Sequence, residues 1–423
     1  MNPAGQLWGE YVNAGRSFSR PARYFLVAGF LVWLGRGIQG VLFNLYLVAG
    51  GFHEAFVGRA LGMAGLGLAT AAIPAGILAE RWGRRRCLML GVLVEVAGSL
   101  GRSCLLSSSG ILASSFLLGA GQSLFTVAAL PYMTEHSTPR ERTHLFSAVL
   151  SLNLLAWVVG SGAGGVLPRA LLSLLGGIWS GEVLSYRVVL IVAGLCAAAG
   201  WVPLAALRGL HERSTASQRA EDPSGSGGRL VPIAFNFLLI GCGAGLVVPF
   251  MNLYFKDRFG CSTAQIGALF SIAAIVTALA SLCSPLLARR LGTLRAAVLF
   301  ELLSLPFLLT LGAETGLATA VAAYWMRTML MNAGTPLLHS FMMGSLPSGL
   351  HARASSVITL VWNIGWAASA AGAGLLIQRW GFAMPFFLAA GLYAAASITL
   401  FLSFRSVPQP PSPPALTATG LEA

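Results

Sequence analysis

Long apolar stretches separated by short polar ones repeat along almost the whole chain. They cover residues 24–49, 55–79, 87–106, 111–133, 145–167, 183–207, 230–255, 263–288, 294–311, 317–343, 355–377 and 383–402, numbered here as spans 1 to 12. An α-helix needs about 20 apolar residues to cross ~30 Å of hydrocarbon, and each stretch is near that length. The pattern predicts an all-α membrane protein of twelve transmembrane helices. Composition removes the soluble alternative. Hydrophobic residues make up 56% and charged residues 10%, whereas soluble domains carry about 25% charged residues. The 51 glycines suit helices that pack closely through small faces in lipid.

One polar gap is longer than the rest. Residues 208–229 hold Ser214, Asp222, Pro223 and Gly225 and read as a flexible cytoplasmic linker. It divides an N-terminal six-helix half (24–207) from a C-terminal one (230–404), with an N-terminal segment (1–23) and a tail (405–423) at the ends. Pro408, Pro410, Pro411, Pro413 and Pro414 make the tail unsuited to a packed core. With the N-terminus in the cytoplasm, eighteen of the 27 Lys and Arg face inward and seven outward, while Arg36 and Arg327 fall inside spans. That excess places both termini in the cytoplasm of a cell (inner) membrane. The net charge of +13 then serves anionic lipid and needs no nucleic acid. No cleavable leader is expected, because the first apolar stretch is too long for a signal core. The six Cys lack metal-ligand or redox spacing, so they read as small apolar residues and no metal is expected.

The halves repeat at an offset of about 209 residues. Asn44-Leu45-Tyr46 ends span 1 as Asn252-Leu253-Tyr254 ends span 7; Gly58 matches Gly267, and Trp157 matches Trp366. Arg81-Trp82-Gly83 matches Arg290-Leu291-Gly292, and Arg86 matches Arg295. Two parallel repeats joined by a linker are a transporter plan in which the substrate site lies near mid-membrane.

Between spans 2 and 3 runs Gly76-Ile77-Leu78-Ala79-Glu80-Arg81-Trp82-Gly83-Arg84-Arg85-Arg86. Gly83 makes a tight turn, and the arginines anchor at the interface. Glu80 at a helix N-terminus of the other half would be held by the helix dipole. Gly76, Glu80, Arg81, Gly83 and Arg84 are therefore candidates for a conformational latch. This stretch resembles the loop signature of the major facilitator superfamily, with Glu80 in place of the commoner Asp. Arg289-Arg290-Leu291-Gly292 is similar but lacks the acid. Pro131, Glu135, Pro139, Glu141 and Arg142 also resemble the family's loop pattern after its fourth helix. The resemblance covers roughly residues 24–404. It implies alternating access between two halves, with helices 1, 4, 7 and 10 lining a cavity. Gly160, Gly164 and Gly165 resemble the family's antiporter motif without its proline, and small residues at this spacing more often serve ordinary helix packing. Leu117 or Leu118 stands where the family's drug–proton antiporters carry arginine, which speaks against that chemistry.

Charges inside lipid are costly and therefore functional candidates. Arg36 is about 18 Å into span 1 by helical rise, and Arg327 is near the middle of span 10. With Gln39, Gln122, Asn332, Trp362 and Asn363 they form the candidate substrate-binding set. Arg36 either contacts substrate or pairs with Glu95. Glu301 either pairs with Arg327 or serves coupling, and His339 either bonds a backbone carbonyl or carries protons. No nucleophile elbow, zinc-protease helix, phosphate loop or nucleotide fingerprint is present, so neither an enzyme nor a cofactor is expected.

The expectation is a secondary transporter of a small organic solute. Export of an amphipathic compound is favoured by apolar Phe43, Phe125 and Phe250 on the cavity helices. An organic-anion carrier using Arg36 and Arg327 is the alternative, and a membrane sensor or lipid-handling protein is the reading from another class. Partners would be the solute, a coupling proton or ion, and membrane lipid, with the chain a monomer. A Cys placed within 208–229 is expected to label only from the cytoplasm, and one near Ser108 only from outside. The reverse pattern in intact cells would overturn the orientation.

Overall fold

The computed structural model describes residues 18–174, 181–206, 227–313, 315–346 and 350–405. Most of the linker and the tail, and the first seventeen residues, lie outside them. Among the described residues there is no strand. The helices are Arg20–Ala49 (α1), Glu54–Trp82 (α2), Arg84–Cys104 (α3), Ser108–Glu135 (α4) and Pro139–Leu174 (α5). Next come Glu182–Ala199, continued by Trp201–Ala206 (together α6), and Gly227–Val247, continued through a 3-10 turn at Val248–Phe250 into Met251–Phe259 (together α7). Thr263–Leu291 (α8), Thr293–Gly312 (α9), Leu317–Ser345 (α10), His351–Trp380 (α11) and Ala383–Phe404 (α12) complete the set.

Each predicted span falls on one of these helices. Most helices extend past the apolar window by a few residues, because a helix does not stop where its side chains turn polar. It stops at a cap. Ser19 accepts from the Ala22 amide with Pro21 in the first turn of α1, and Ser107 accepts from the Gly110 amide before α4. α3 starts at Arg84 and ends at Cys104, short of the expected 106. Arg102, counted above on the outer face, lies within this helix and is 6% exposed. It is a buried charge, and the outward count falls from seven to six.

Eleven of the described helices are long and apolar enough to span a membrane. α10 is outside that set although its 29 residues exceed the length required. Arg327, Asn332 and His339 lower its hydropathy.

The chain forms two compact units. One comprises Met1–Ser217 with Val247–Ala274 and Ala367–Arg379; the other comprises Gln218–Leu246, Ile275–Trp366 and Trp380–Ala423. In the first, Phe25 stacks on Phe125 at 6.1 Å and tilts against Tyr132 at 5.6 Å, within a core of α1, α3, α4 and α5. In the second, Phe341 meets Phe404 edge-on at 5.2 Å, within a core of α7, α9, α10, α11 and α12.

The backbone repeats at the same offset as the sequence. Gly83 and Gly292 both have positive φ, 93° and 83°, and so do Gly51 and Gly260, 88° and 63°. Only glycine adopts these angles without strain, and each pair is 209 residues apart.

Helix contact in lipid relies on small residues. A methyl on Gly119 of α4 would run into the carbonyl oxygen of Ala64 of α2. Gly76, by contrast, has open space around its Cβ position. Gly119→Ala is therefore expected to cost about 1–3 kcal/mol by overpacking and to lower the melting temperature and monodisperse yield, with Gly76→Ala near wild type. Equal effects from both would remove close approach as the reason for Gly119.

Candidate functional site

α1 and α3 are bridged by a ladder of polar side chains. Arg36 donates to both carboxylate oxygens of Glu95, from Nε at 2.7 Å and from a terminal nitrogen at 2.8 Å. This bidentate geometry is the strongest form of the pair. Arg36 also lies over the rings of Trp33 (5.1 Å) and Phe125 (5.6 Å). One turn further along, Gln39 donates to Ser99 and accepts from Arg102. The Arg102 guanidinium stacks on Phe43 at 3.7 Å, and its Nε has no hydrogen-bond partner. Tyr46 closes the ladder, donating to the Ser103 carbonyl and accepting from Arg187.

The periodicity explains the ladder. Arg36, Gln39 and Phe43 share one stripe of α1, and Glu95, Ser99 and Arg102 share one stripe of α3. The α3 stripe was readable from its spacing, yet Arg102, inside the expected span 87–106, was counted with the outward-facing residues. The interior of this bundle thus holds two guanidinium groups and one carboxylate.

The second unit has its own cluster, arranged differently. Glu301 of α9 accepts from the Ser397 hydroxyl of α12 at 2.6 Å, and Arg327 of α10 donates to the Tyr393 hydroxyl of α12 at 2.7 Å. Arg327 Nε has no partner, and no Glu301–Arg327 ion pair forms among the described residues. Nothing in the spacing of Tyr393 and Ser397 marked them beforehand. Nearby, Asn236 of α7 donates to the Ala396 carbonyl.

The remaining candidates stand apart from these clusters. Gln122, Trp362 and Asn363 are half-buried; Asn332 is exposed and donates to Thr328 within its own helix. His339 is exposed, with its ring edge-on to Phe237 at 5.3 Å. In the loop motif Glu80 and Arg81 are exposed, and Gly76 and Gly83 are half-buried. Arg84 pairs with Glu135 at 3.2 Å, and Arg85 donates to the carbonyls of Leu204 and Ala205 at the end of α6. These arginines cap helix ends as well as mark the interface.

Within the first unit, one end of the helices is closed by two matching contacts. A Cβ on Gly58 (α2) would lie 2.8 Å from the Ala370 carbonyl oxygen and 3.1 Å from Gly374 Cα (α11). A Cβ on Gly267 (α8) would lie 2.5 Å from the Ser161 carbonyl oxygen and 2.9 Å from Gly165 Cα (α5). Every member of the first contact is 209 residues from its counterpart in the second. Between them Asn44 donates to the Pro249 carbonyl at 2.5 Å and Asn252 to the Val41 carbonyl at 2.9 Å, again reciprocal. Lys256, the only lysine in the chain, pairs with Glu182 at 2.6 Å at the same end of α6 and α7.

A helical membrane bundle with one geometry repeated at a fixed offset, and with charges held inside lipid-spanning helices, is a polytopic transporter. The family model of the Major Facilitator Superfamily matches residues 25–370 and, again, 233–422. The chain belongs to that superfamily. It is a secondary transporter and not an enzyme. A putative sugar efflux transporter of Deinococcus radiodurans is 25% identical over 181 residues, 42% of this chain and 46% of that relative, so the match spans about half of the relative's length. Two solved structures share the fold. A bacterial homologue of the human lysosomal transporter Spinster has a TM-score of 0.75 at 15% identity, covering 91% of this chain and 96% of that one. The nucleoside transporter NupG has a TM-score of 0.72 at 13% identity, covering 92% and 100%.

Arg36→Gln leaves a buried carboxylate unpaired, as Glu95→Gln leaves a buried guanidinium. Each single change is expected to cost about 3–5 kcal/mol, and the double change much less than the sum. Thermal unfolding of the four proteins in detergent measures the cycle. Additive losses would mean that the pair contributes nothing beyond its separate side chains.

Proposed function

We propose that this transporter exports a small, uncharged, amphipathic organic solute of sugar-like chemistry by alternating access. The observation that carries the reading is the engagement of the buried arginines within their own bundles. Arg36 is neutralised by Glu95, and Arg327 is turned to Tyr393. At Arg36 an anion would find no free positive charge. The half-buried groups left over, Gln122, Trp362 and Asn363, are amides and an indole, which suit hydroxyl groups and a ring face. The name of the Deinococcus radiodurans relative supports export.

The remaining parts of the reading follow from the sequence. The halves are 24–207 and 230–404, the termini and the linker are cytoplasmic, and the protein works as a monomer in the cell membrane. The matching contacts of Gly58 with Gly374 and of Gly267 with Gly165 then form the outer closure. Glu80, exposed at the opposite end, is the acid of a latch that engages when the cytoplasmic side shuts. An organic-anion carrier is the second reading, favoured by the unpartnered Nε atoms of Arg102 and Arg327.

A thermal-shift panel of neutral sugars, polyols, carboxylates and phosphates in detergent separates the two. A neutral compound at about 100 times its dissociation constant adds about 2.7 kcal/mol of apparent stability, and the same compound is expected to leave preloaded cells faster when the protein is produced. Stabilisation by carboxylates or phosphates alone would overturn the neutral-solute reading. Accumulation in place of loss would overturn export.

A further inference from the structure

The ladder between α1 and α3 carries more positive charge than its own carboxylate offsets. Arg36 and Arg102 share one acid, Glu95, and both of its oxygens are taken by Arg36. Arg102 is 6% exposed. One face of its guanidinium lies on Phe43, and a terminal nitrogen donates to Gln39, whose own nitrogen bonds Ser99. The buried Nε has no partner, and among the described residues no carboxylate pairs with this arginine. At the end of the ladder Arg187 of α6 is half-buried and meets the Tyr46 hydroxyl and ring in place of an acid. Glu182, five residues earlier on α6, is held by Lys256 and Tyr186.

A guanidinium keeps its proton when buried, so Arg102 cannot shed its charge as a buried lysine does. A ring face attracts the cation without cancelling it. An amide oxygen or a water molecule satisfies an N–H and leaves the charge in place. Inside a helical bundle in lipid an uncompensated cation is strongly disfavoured. Since Arg36 and Glu95 cancel, the interior of the ladder holds a net charge of +1. One monovalent anion removes it.

We propose that Arg102 anchors a resident anion site among α1, α3 and α6, and that its ligand is one small monovalent anion of the halide type. The surroundings set both charge and size. A ring covers one face of the guanidinium and Gln39 holds one nitrogen, so a single buried N–H is left to donate. A halide accepts from any direction and brings no further polar atoms. A phosphate or carboxylate would carry additional oxygens into the same dry space, each needing a donor of its own. Tyr46 joins Arg187 to the carbonyl of Ser103, the residue after Arg102. The half-buried arginine thereby adds positive potential where α3 ends, at Cys104, and draws an anion toward the buried one. The ion is a fixed counter-charge and not the cargo, so the site does not depend on which solute moves or in which direction.

Halide titration of the full-length protein in detergent tests this without any solute. Protein exchanged into gluconate at constant ionic strength is expected to melt at a lower temperature. Chloride or bromide restores it along a saturable curve, and equilibrium dialysis finds one radiolabelled chloride per chain. Arg102→Leu removes the charge and keeps the bulk, so it is expected to fold in gluconate and to ignore halide. Arg102→Lys, which keeps the charge without the Nε donor, binds halide about tenfold more weakly and carries the test if the leucine variant does not fold. Arg36→Gln weakens the halide response although Arg36 does not touch the ion, because Glu95 is then free to serve Arg102. No difference between halide and gluconate in wild type, or an equal response in the Arg102 variants, would overturn the site. An unchanged response in Arg36→Gln would overturn the charge balance. Stabilisation by inorganic phosphate or anionic lipid in place of halide would overturn the ligand, and chloride flux in proteoliposomes would overturn its resident role. The solute panel repeated at saturating chloride lets the neutral-export reading fail on its own.

Discussion

Hydrocarbon offers no hydrogen bonds and almost no charge screening, and the placement of the buried polar groups within the spans follows from that constraint. A charge taken from water into such a medium costs several kcal/mol even after relaxation. The ladder between α1 and α3 meets the cost with contact. Arg36 spends its bonds on Glu95, and Gln39 links Ser99 to Arg102. Phe43 offers its ring face to the guanidinium that has no acid of its own, an attraction of about 2 kcal/mol or more when desolvated. The cluster of α9, α10 and α12 meets the same cost with hydroxyls. One chain thus buries charge in two ways, by a bidentate ion pair and by single hydroxyl partners.

The same medium removes the hydrophobic drive for helices to associate, so contact depends on how closely backbones approach. That is why the closure in the first unit is built from Gly58, Gly165, Gly267 and Gly374 rather than from large apolar residues. Such contacts have a useful property. They gain dispersion over a small area and a few hydrogen bonds, each with a net value of about 1 kcal/mol. Asn44 and Asn252 bond carbonyls that water can equally satisfy. The stacked aromatic core of Phe25, Phe125 and Tyr132 relies instead on broad apolar contact.

Much of this was legible beforehand because lipid imposes length. The twelve apolar windows, the turn at Gly83 and the duplication through Asn44 and Asn252 all survive as helices, a positive φ and a reciprocal contact. α10 was found by length although Arg327 and Asn332 dilute it. Arg102 was misplaced because depth counted from a window's edge cannot tell a snorkelling arginine from one folded back on Gln39. The choice between substrate and Glu95 for Arg36 was also closed to the sequence, since a stripe gives the face of one helix and not its partner. Tyr393 and Ser397 gave no signal, because a tyrosine and a serine one turn apart are ordinary in any helix.

Comparing what was duplicated with what was not separates frame from chemistry. At the offset of 209 residues the turns and the closing glycines recur: Gly51 with Gly260, Gly83 with Gly292, Gly58 with Gly267, and Gly165 with Gly374. The buried charges do not. The counterpart of Arg36 is Gly245, that of Arg102 is Leu311 and that of Glu95 is Ser304; Arg327 corresponds to Leu118 and Glu301 to Val92. Repetition is what two halves need in order to close on one another by equivalent contacts, since self-complementary interfaces require the same patch twice. A solute has no such symmetry. The buried polar groups differ between the two repeats: Arg36 and Glu95 meet in a bidentate pair, whereas Arg327 and Glu301 each bond a hydroxyl of α12.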